Sequence, residues 1–240
     1  MSRIATDSGS DAHGIDTDRV RIVTLPVASQ GAGTVAYIDR RGERLTRAFD
    51  LCVAIVLMLA MSPIFLIVAV LVRFTSPGPV IYRQIRTGQH GKPFTLYKFR
   101  TMVDGADALL DEHIRTSAAF RERRKLDNDP RVTRVGAWLR RTSIDELPQL
   151  YNVLRGDMSI VGPRPVPPDE LAQYYRQYAD RILSVKPGLT GLWQVEGRSS
   201  VSYDARVALD LEYLQRRSLR YDLLLVLRTI PAVLTMRGAV

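Results

Sequence analysis

The uncharged run 51–72, LCVAIVLMLAMSPIFLIVAVLV, constrains the chain more than any other stretch. A straight helix of that length reaches roughly 33 Å, enough to cross the hydrocarbon core of a bilayer. The run begins too far from the N-terminus, and lacks the small-residue cleavage site, to read as a signal peptide. Ser62-Pro63 falls at its centre, where proline removes a backbone donor and clashes with the preceding turn. Both flanks are basic. Arg40, Arg41, Arg44 and Arg47 precede the run; Arg73, Arg83, Arg86, Lys92, Lys98 and Arg100 follow it, with no acid between Asp50 and Asp104. Positive charge favours the cytoplasmic side, so a spanning helix places one cluster on the wrong face. A helix that breaks at Ser62-Pro63, dips in and returns satisfies both flanks. These features leave a single crossing and a re-entrant hairpin both open, because short basic flanks can be translocated and many spanning helices contain proline. Cys52, the single cysteine, excludes an internal disulfide and reads first as a small buried core residue, with palmitoylation the alternative.

The rest of the chain, 240 residues in all, has room for one substantial domain with appendages. Residues 1–36 are rich in Ser, Gly, Thr and Asp without periodicity and read as a disordered tail. Residues 38–50 read as an amphipathic lead-in to the apolar run. After the breaker SPGP at 76–79, two alternating segments around TGQHGKP read as a β-hairpin. A polar helix or excursion is expected over 104–125, a loop over 127–136 and a short helical piece at 137–141. The spacing predicts a helix over 168–185, a glycine-punctuated loop or strand over 186–200, and an amphipathic helix over 201–217 with Val207, Leu211 and Leu214 on one side. The C-terminal stretch from Tyr221 is apolar but interrupted by Arg228 and Pro231, which suits an interface or packing on the domain better than a crossing. There is no internal repeat.

Adjacent carboxylates repel, and Asp145-Glu146 in TSIDELPQLYNVLRGDMSIVGPRP is such a pair. One reading is structural: Ser143-Ile144-Asp145-Glu146 fits the capping box S-x-x-E, with Asp145 favoured by a helix dipole and Pro148 tolerated near a helix start. The other is chemical. Arg140 precedes the pair, and Arg164 follows between two prolines that stiffen its backbone, so its planar fork is held for bidentate phosphate contact at little entropic loss. Lys98 and Arg100 in YKFRTM and Arg198 in EGRSS add further cations. Paired carboxylates can hold Mg²⁺ beside a diphosphate, and an ionised carboxylate can attack phosphorus. The net charge of +9, from 34 basic against 25 acidic residues, points to an anionic partner. No nucleic-acid module is recognisable, and three scattered histidines with one cysteine make a His/Cys zinc site improbable. A non-catalytic, membrane-bound basic scaffold and a Mg²⁺-dependent diphosphate hydrolase are the rival readings.

From about Arg40 onward, the chain resembles the bacterial sugar transferases, also called monotopic phosphoglycosyl transferases. The resemblance rests on the apolar run with Ser62-Pro63, YKFRTM, DPRVTRVGAWLRRTSIDELPQLYNVLRGDMSIVGPRP, KPGLTGLWQVEGR and YDARVALDLEYL. It implies an α+β, mostly helical, membrane-associated monotopic domain with a re-entrant helix hairpin over 37–75. A small β-hairpin and amphipathic interface helices complete that fold, with the catalytic domain at 76–240. It implies residence on the cytoplasmic face of the bacterial inner membrane, and transfer of a hexose-1-phosphate from a UDP-sugar to undecaprenyl phosphate with release of UMP. Asp145 is then the nucleophile that forms an aspartyl-phosphosugar, and Glu146 joins it in binding Mg²⁺. Arg140, Arg164 and Arg198, with Lys98 and Arg100, then contact phosphates or the nucleotide; Ser62 and Pro63 break the re-entrant helix. The absence of a long multi-helix N-terminal region resembles the small exopolysaccharide-type branch, whose donors are usually UDP-galactose or UDP-glucose. A homodimer is left open.

Overall fold

A computed structural model describes residues 20–23, 36–106, 129–197 and 201–235. Most of the expected tail, most of the excursion expected over 104–125, and Arg198 lie outside the described residues. The chain divides into residues 1–47 and 48–240. In the first, strand β1 (Val20–Val23) pairs antiparallel with β2 (Ala36–Asp39), and helix α1 (Arg40–Ala60) begins.

Helix α2 (Ser62–Thr75) follows α1 after one residue, and the two are bent by 62°. The sequence explains the bend. Pro63 has no N–H to return to the Leu59 carbonyl, and that carbonyl is taken instead by the Ser62 hydroxyl at 2.8 Å. Met61 at the break keeps bonds on both sides, donating to Leu57 O and accepting from Phe65 N. The Ser-Pro pair therefore bends the chain without orphaning a backbone acceptor. Among the described residues, no single helix is long and apolar enough to cross a membrane. Large apolar side chains nevertheless point outward along both helices, including Val56, Leu59, Leu66, Ile67 and Phe74. Cys52, expected in the core, is exposed with them, because the buried side of α1 is taken by Asp50 and Ala54.

The chain leaves α2 through Ser76–Pro79 and enters the expected hairpin, β3 (Ile81–Thr87) and β4 (Pro93–Phe99), paired from Ile81↔Phe99 to Thr87↔Pro93. Then follow α3 (Arg134–Thr142), a single 3₁₀ turn at Ile144–Glu146, α4 (Gln149–Arg155) and β5 (Ser159–Val161). Strand β6 (Gly188–Thr190) lies parallel to β5, and α5 (Leu192–Glu196), α6 (Tyr203–Arg216) and α7 (Leu219–Leu234) complete the fold. The fold is thus mixed, mainly helical with two-stranded sheets. The helix expected over 168–185 is helical only to Ile182 and irregular: a π turn at Leu171–Tyr175 runs into Arg176, whose φ of 42° ends it. That break seats Tyr175 in a small cluster with Val166, Ile182 and Val207.

The main core joins Ala54 of α1, Leu96 of β4, Leu150 and Val153 of α4, Ile160 and Val161 of β5, Leu192 of α5, Tyr213 of α6 and Leu225 of α7. A second cluster sets Val68 and Val72 of α2 against Phe99 and Leu139. Polar bonds inside this core are specific. Asn152, wholly buried, donates to Thr95 O at 2.7 Å and accepts from Tyr97 N at 3.2 Å, so α4 is tied to β4. Asp50 accepts from Ser159 Oγ and Ile160 N at 2.9 and 2.8 Å, tying α1 to β5.

Helix α3 sits so close to the exit of β4 that a Cβ on Gly136 would strike the Thr101 carbonyl. Gly136→Ala is expected to lower stability by about 1–3 kcal/mol, since backbone on both sides must move. Thermal unfolding of the detergent-solubilised variant beside the parent checks this; equal melting temperatures contradict the packing.

Candidate active site

The carboxylate pair is presented by a turn held at both ends. Ile144 packs against the second cluster and Leu147 against the main core. Asp145 and Glu146 lie between these anchors and cannot leave with solvent-facing side chains. The capping box is absent. Ser143 adopts a left-handed conformation, φ 57°, and closes α3, its N–H bonded back to Arg140 O. Helix α4 starts only at Gln149, after Pro148. The pair therefore occupies its own short turn, not the start of a helix, and the expected dipole that would keep Asp145 ionised is missing. Pro148 carried the signal: without an N–H it belongs in a helix's first turn, which puts the start near 148 and not 143.

Four elements converge here. Lys98 of β4 and Arg164 of the loop after β5 both donate to the same oxygen, Glu146 Oε1, each at 2.9 Å. Burial alone would raise the Glu146 pKa, but attraction to Arg164 and Lys98 overrides it and holds the carboxyl well below the usual range. Arg140 of α3 donates Nε–H to Thr101 Oγ1 at 2.9 Å and faces Asp145 electrostatically. Asp145 itself is 8% exposed, and among the described residues nothing donates a hydrogen bond to its carboxylate. Burial pushes its pKa up to about 6, with Glu146 adding to the rise while Lys98, Arg140 and Arg164 oppose it. The cations neutralise Glu146 first, so the proton shared by the pair goes to Asp145.

Arg164 owes its position to backbone packing. Gly162 N donates to Thr190 O and Gly188 N to Pro163 O, at 2.9 and 2.8 Å. A Cβ on Gly188 or Gly191 would strike the backbone of Gly162. The KPGLTG segment is thus moulded onto the VGPRP turn. Arg86, not singled out above, adds a bond from Nη1 to Pro165 O at 3.3 Å. Burial lowers the Arg86 pKa, and the neighbouring Arg164 lowers it further. Trp193, also not singled out, lies with its ring centroid 5.8 Å from the Arg164 guanidinium. Arg100 turns away from the pair: it is buried and donates to Ser76 O at 2.6 Å, against Gly78, where a Cβ would collide with it. It fastens the exit of α2 to the end of β4.

Comparison with known proteins decides what this arrangement belongs to. The profile described as bacterial sugar transferase matches residues 41–236. The chain belongs to that family. An exopolysaccharide production protein, ExoY, of Sinorhizobium fredii is 50% identical over 88% of this chain and 98% of its own length. An undecaprenyl-phosphate galactose phosphotransferase of Salmonella typhimurium is 44% identical over 84% of this chain. The UDP-glucose:undecaprenyl-phosphate glucose-1-phosphate transferase of Escherichia coli is 42% identical over 78% of it. The chain spans 43% and 39% of the length of these last two. This sugar transferase is accordingly an enzyme, and its family places it among the phosphoglycosyl transferases.

Removing Asp145's charge has a signed effect on stability. Its folded pKa, about 6, lies above the unfolded value of about 3.9, so the folded state keeps a proton that the unfolded chain has released. Stability falls as pH rises through that window and then levels off. Asp145→Asn is expected to gain on the order of 1–3 kcal/mol above the window and nothing below it. Urea unfolding in micelles across that pH range checks the sign; a variant destabilised at neutral pH contradicts it.

Proposed function

We propose that this transferase passes a hexose-1-phosphate from UDP-galactose or UDP-glucose to undecaprenyl phosphate, releasing UMP, through a covalent intermediate on Asp145. The observation that carries the reading is a buried carboxylate to which no described residue donates a hydrogen bond, beside a second carboxylate locked by two cations. A nucleophile must be ionised yet unencumbered, and Asp145 meets both conditions above its raised pKa. Glu146, fixed by Lys98 and Arg164, has a different role from its neighbour although the residues are adjacent. The printed functions of the Salmonella and Escherichia relatives support the acceptor and the choice of hexose.

In the first step an Asp145 oxygen attacks the β-phosphorus of the donor. The bond from that phosphorus to the bridging oxygen breaks, and UMP leaves with the electron pair. In the second, an oxygen of the lipid phosphate attacks the same phosphorus, the Asp145 O–P bond breaks, and the carboxylate is restored. Lys98, Arg140 and Arg164 neutralise the transferred phosphoryl group, so positioning and charge do most of the work. Among the described residues, no cluster of three or more His, Cys, Asp or Glu forms a metal cage. The two carboxylates fit the other mode of Mg²⁺ binding, in which one or two protein oxygens are supplemented by water and substrate phosphates. Both cations bond Glu146 through Oε1, which leaves Oε2 for such a ligand. Glu146 Oε2 and Asp145 would hold the ion, and it would supply neutralisation of the diphosphate.

The bent α1–α2 pair is read as a re-entrant anchor that enters and leaves on the cytoplasmic face of the inner membrane, the side its basic flanks favour. The outward apolar side chains of both helices support that reading, as do Leu223, Leu227 and Ile230 on α7, which suit the interface. Nanodisc-embedded protein with Mg²⁺, a panel of UDP-sugars and undecaprenyl phosphate is expected to yield UMP and a lipid-linked diphosphosugar from UDP-galactose or UDP-glucose. With acceptor omitted, label from the sugar phosphate should remain on Asp145 after acid quench and peptide mapping. No lipid product from any UDP-sugar sinks the assignment, and UMP formation without covalent label sinks the intermediate. Free sugar-1-phosphate formed without acceptor would identify a hydrolase instead.

A further inference from the structure

Beyond the clamped pair lies an arginine, Arg206, that pairs with no carboxylate among the described residues. Arg206 of α6 donates Nε–H to Val201 O at 3.0 Å. Its guanidinium lies 4.7 Å from the Trp193 ring centroid and 4.8 Å from that of Tyr203. Among the described residues, its terminal nitrogens meet no acceptor and no carboxylate pairs with it. The neighbouring carboxyls are engaged elsewhere: Tyr175 OH donates to Asp210 Oδ2 at 3.1 Å, and Tyr203 OH to Glu170 Oε2 at 2.6 Å. Burial also pushes the Asp210 pKa up to about 8, so at neutral pH that carboxyl does not balance Arg206.

Trp193 links this cation to the catalytic pair. Arg164, already bonded to Glu146, lies 5.8 Å from the same indole. Two guanidinium groups thus share one aromatic ring, one neutralised and one not. Like charges held together are unfavourable unless an anion joins them, and a stacked, partly desolvated guanidinium is a strong, pre-organised phosphate donor. A nucleotide-sugar donor brings two phosphates, whereas Lys98, Arg140 and Arg164 gather around one carboxylate pair.

We propose that Arg206, held over Trp193, is a second phosphate-binding cation of this site. It takes a phosphate group next to the one Asp145 attacks, from either the nucleotide or the lipid acceptor. The proposal rests on the transfer reading above. The KPGLTGLWQ segment then has two tasks: its glycines seat the Arg164 turn, and its tryptophan seats Arg206.

The chain has two tryptophans, so Trp138→Phe, on the exposed face of α3, leaves Trp193 as the sole indole reporter. In that background, UMP titration in micelles is expected to change Trp193 emission. Arg206→Gln should weaken UMP binding about tenfold or more, the loss of one charge-assisted phosphate contact, and Arg206→Lys should recover part of it. Unchanged UMP affinity with an about tenfold rise in KM for undecaprenyl phosphate assigns the contact to the acceptor and supports the proposal equally. Parental UMP affinity together with parental acceptor KM in Arg206→Gln overturns it. An equal loss in the Gln and Lys variants, with a matching fall in melting temperature, overturns it too, because a purely structural stack behaves that way. Asp145→Asn separates the two claims: it should bind UMP and not transfer, and if it transfers, the nucleophile is wrong while the emission titration still judges Arg206.

Discussion

A single oxygen, Glu146 Oε1, is where the fold is gathered together. Lys98 reaches it from the hairpin and Arg164 from the loop after β5, each at 2.9 Å, while Glu146 belongs to the turn after α3. Three stretches far apart in sequence meet at one atom. Exposed ion pairs contribute little, but this one is largely withdrawn from water, and losing either partner leaves an uncompensated charge. The clamp also divides the labour between two adjacent carboxylates. Burial, with the Glu146 charge beside it, leaves Asp145 with a raised pKa, and among the described residues nothing donates to its carboxylate, an arrangement that costs stability above that pKa.

Around that clamp the fold is built by close backbone approach more than by side-chain bulk. Gly136 lets α3 lie against Thr101, and Gly188 and Gly191 let β6 and α5 lie against Gly162. Each approach places one cation near the carboxylate pair: Arg140 through α3 and Arg164 through the turn. Prolines on either side of Arg164 remove backbone freedom that the glycines would otherwise add. The same segment brings Trp193 to the flank of Arg164, so the support and the site are made from one piece of chain.

Much of this was legible in the sequence. The β3–β4 hairpin, the break at Ser62-Pro63, α6 with Val207 inward and the cations around Asp145 all follow from local pattern, because period, turn residues and charge are local properties. The capping box was misread because S-x-x-E matches equally well when the serine ends one helix and the acid lies in a separate turn; the left-handed Ser143 shows only in three dimensions. Arg100 was grouped with the site because it stands two residues from Lys98, the spacing that shares a strand face, but β4 ends at Phe99 and the Arg100 guanidinium bonds Ser76 O. The irregular 168–182 segment, the bond from Arg86 to Pro165 O and the placing of Arg164 and Arg206 on Trp193 depend on partners more than ten residues away, which no short window of sequence contains. Cys52 was expected inside because a small apolar residue usually is; the helix instead turns Asp50 inward, against β5.

That inward Asp50 has a mechanical meaning. It joins a helix whose outer face is apolar to Ser159 and Ile160, and the chain leaving that strand bends at Gly162-Pro163 into Arg164. Helix α1 and Arg164 are thus linked by two short bonds and a few residues of chain, whose bend is itself pinned to the Gly188–Thr190 strand. The tilt of α1 and the placement of that guanidinium are therefore not independent variables. A force applied to α1 reaches Arg164 as a load reaches a lever, with Asp50 as the pivot.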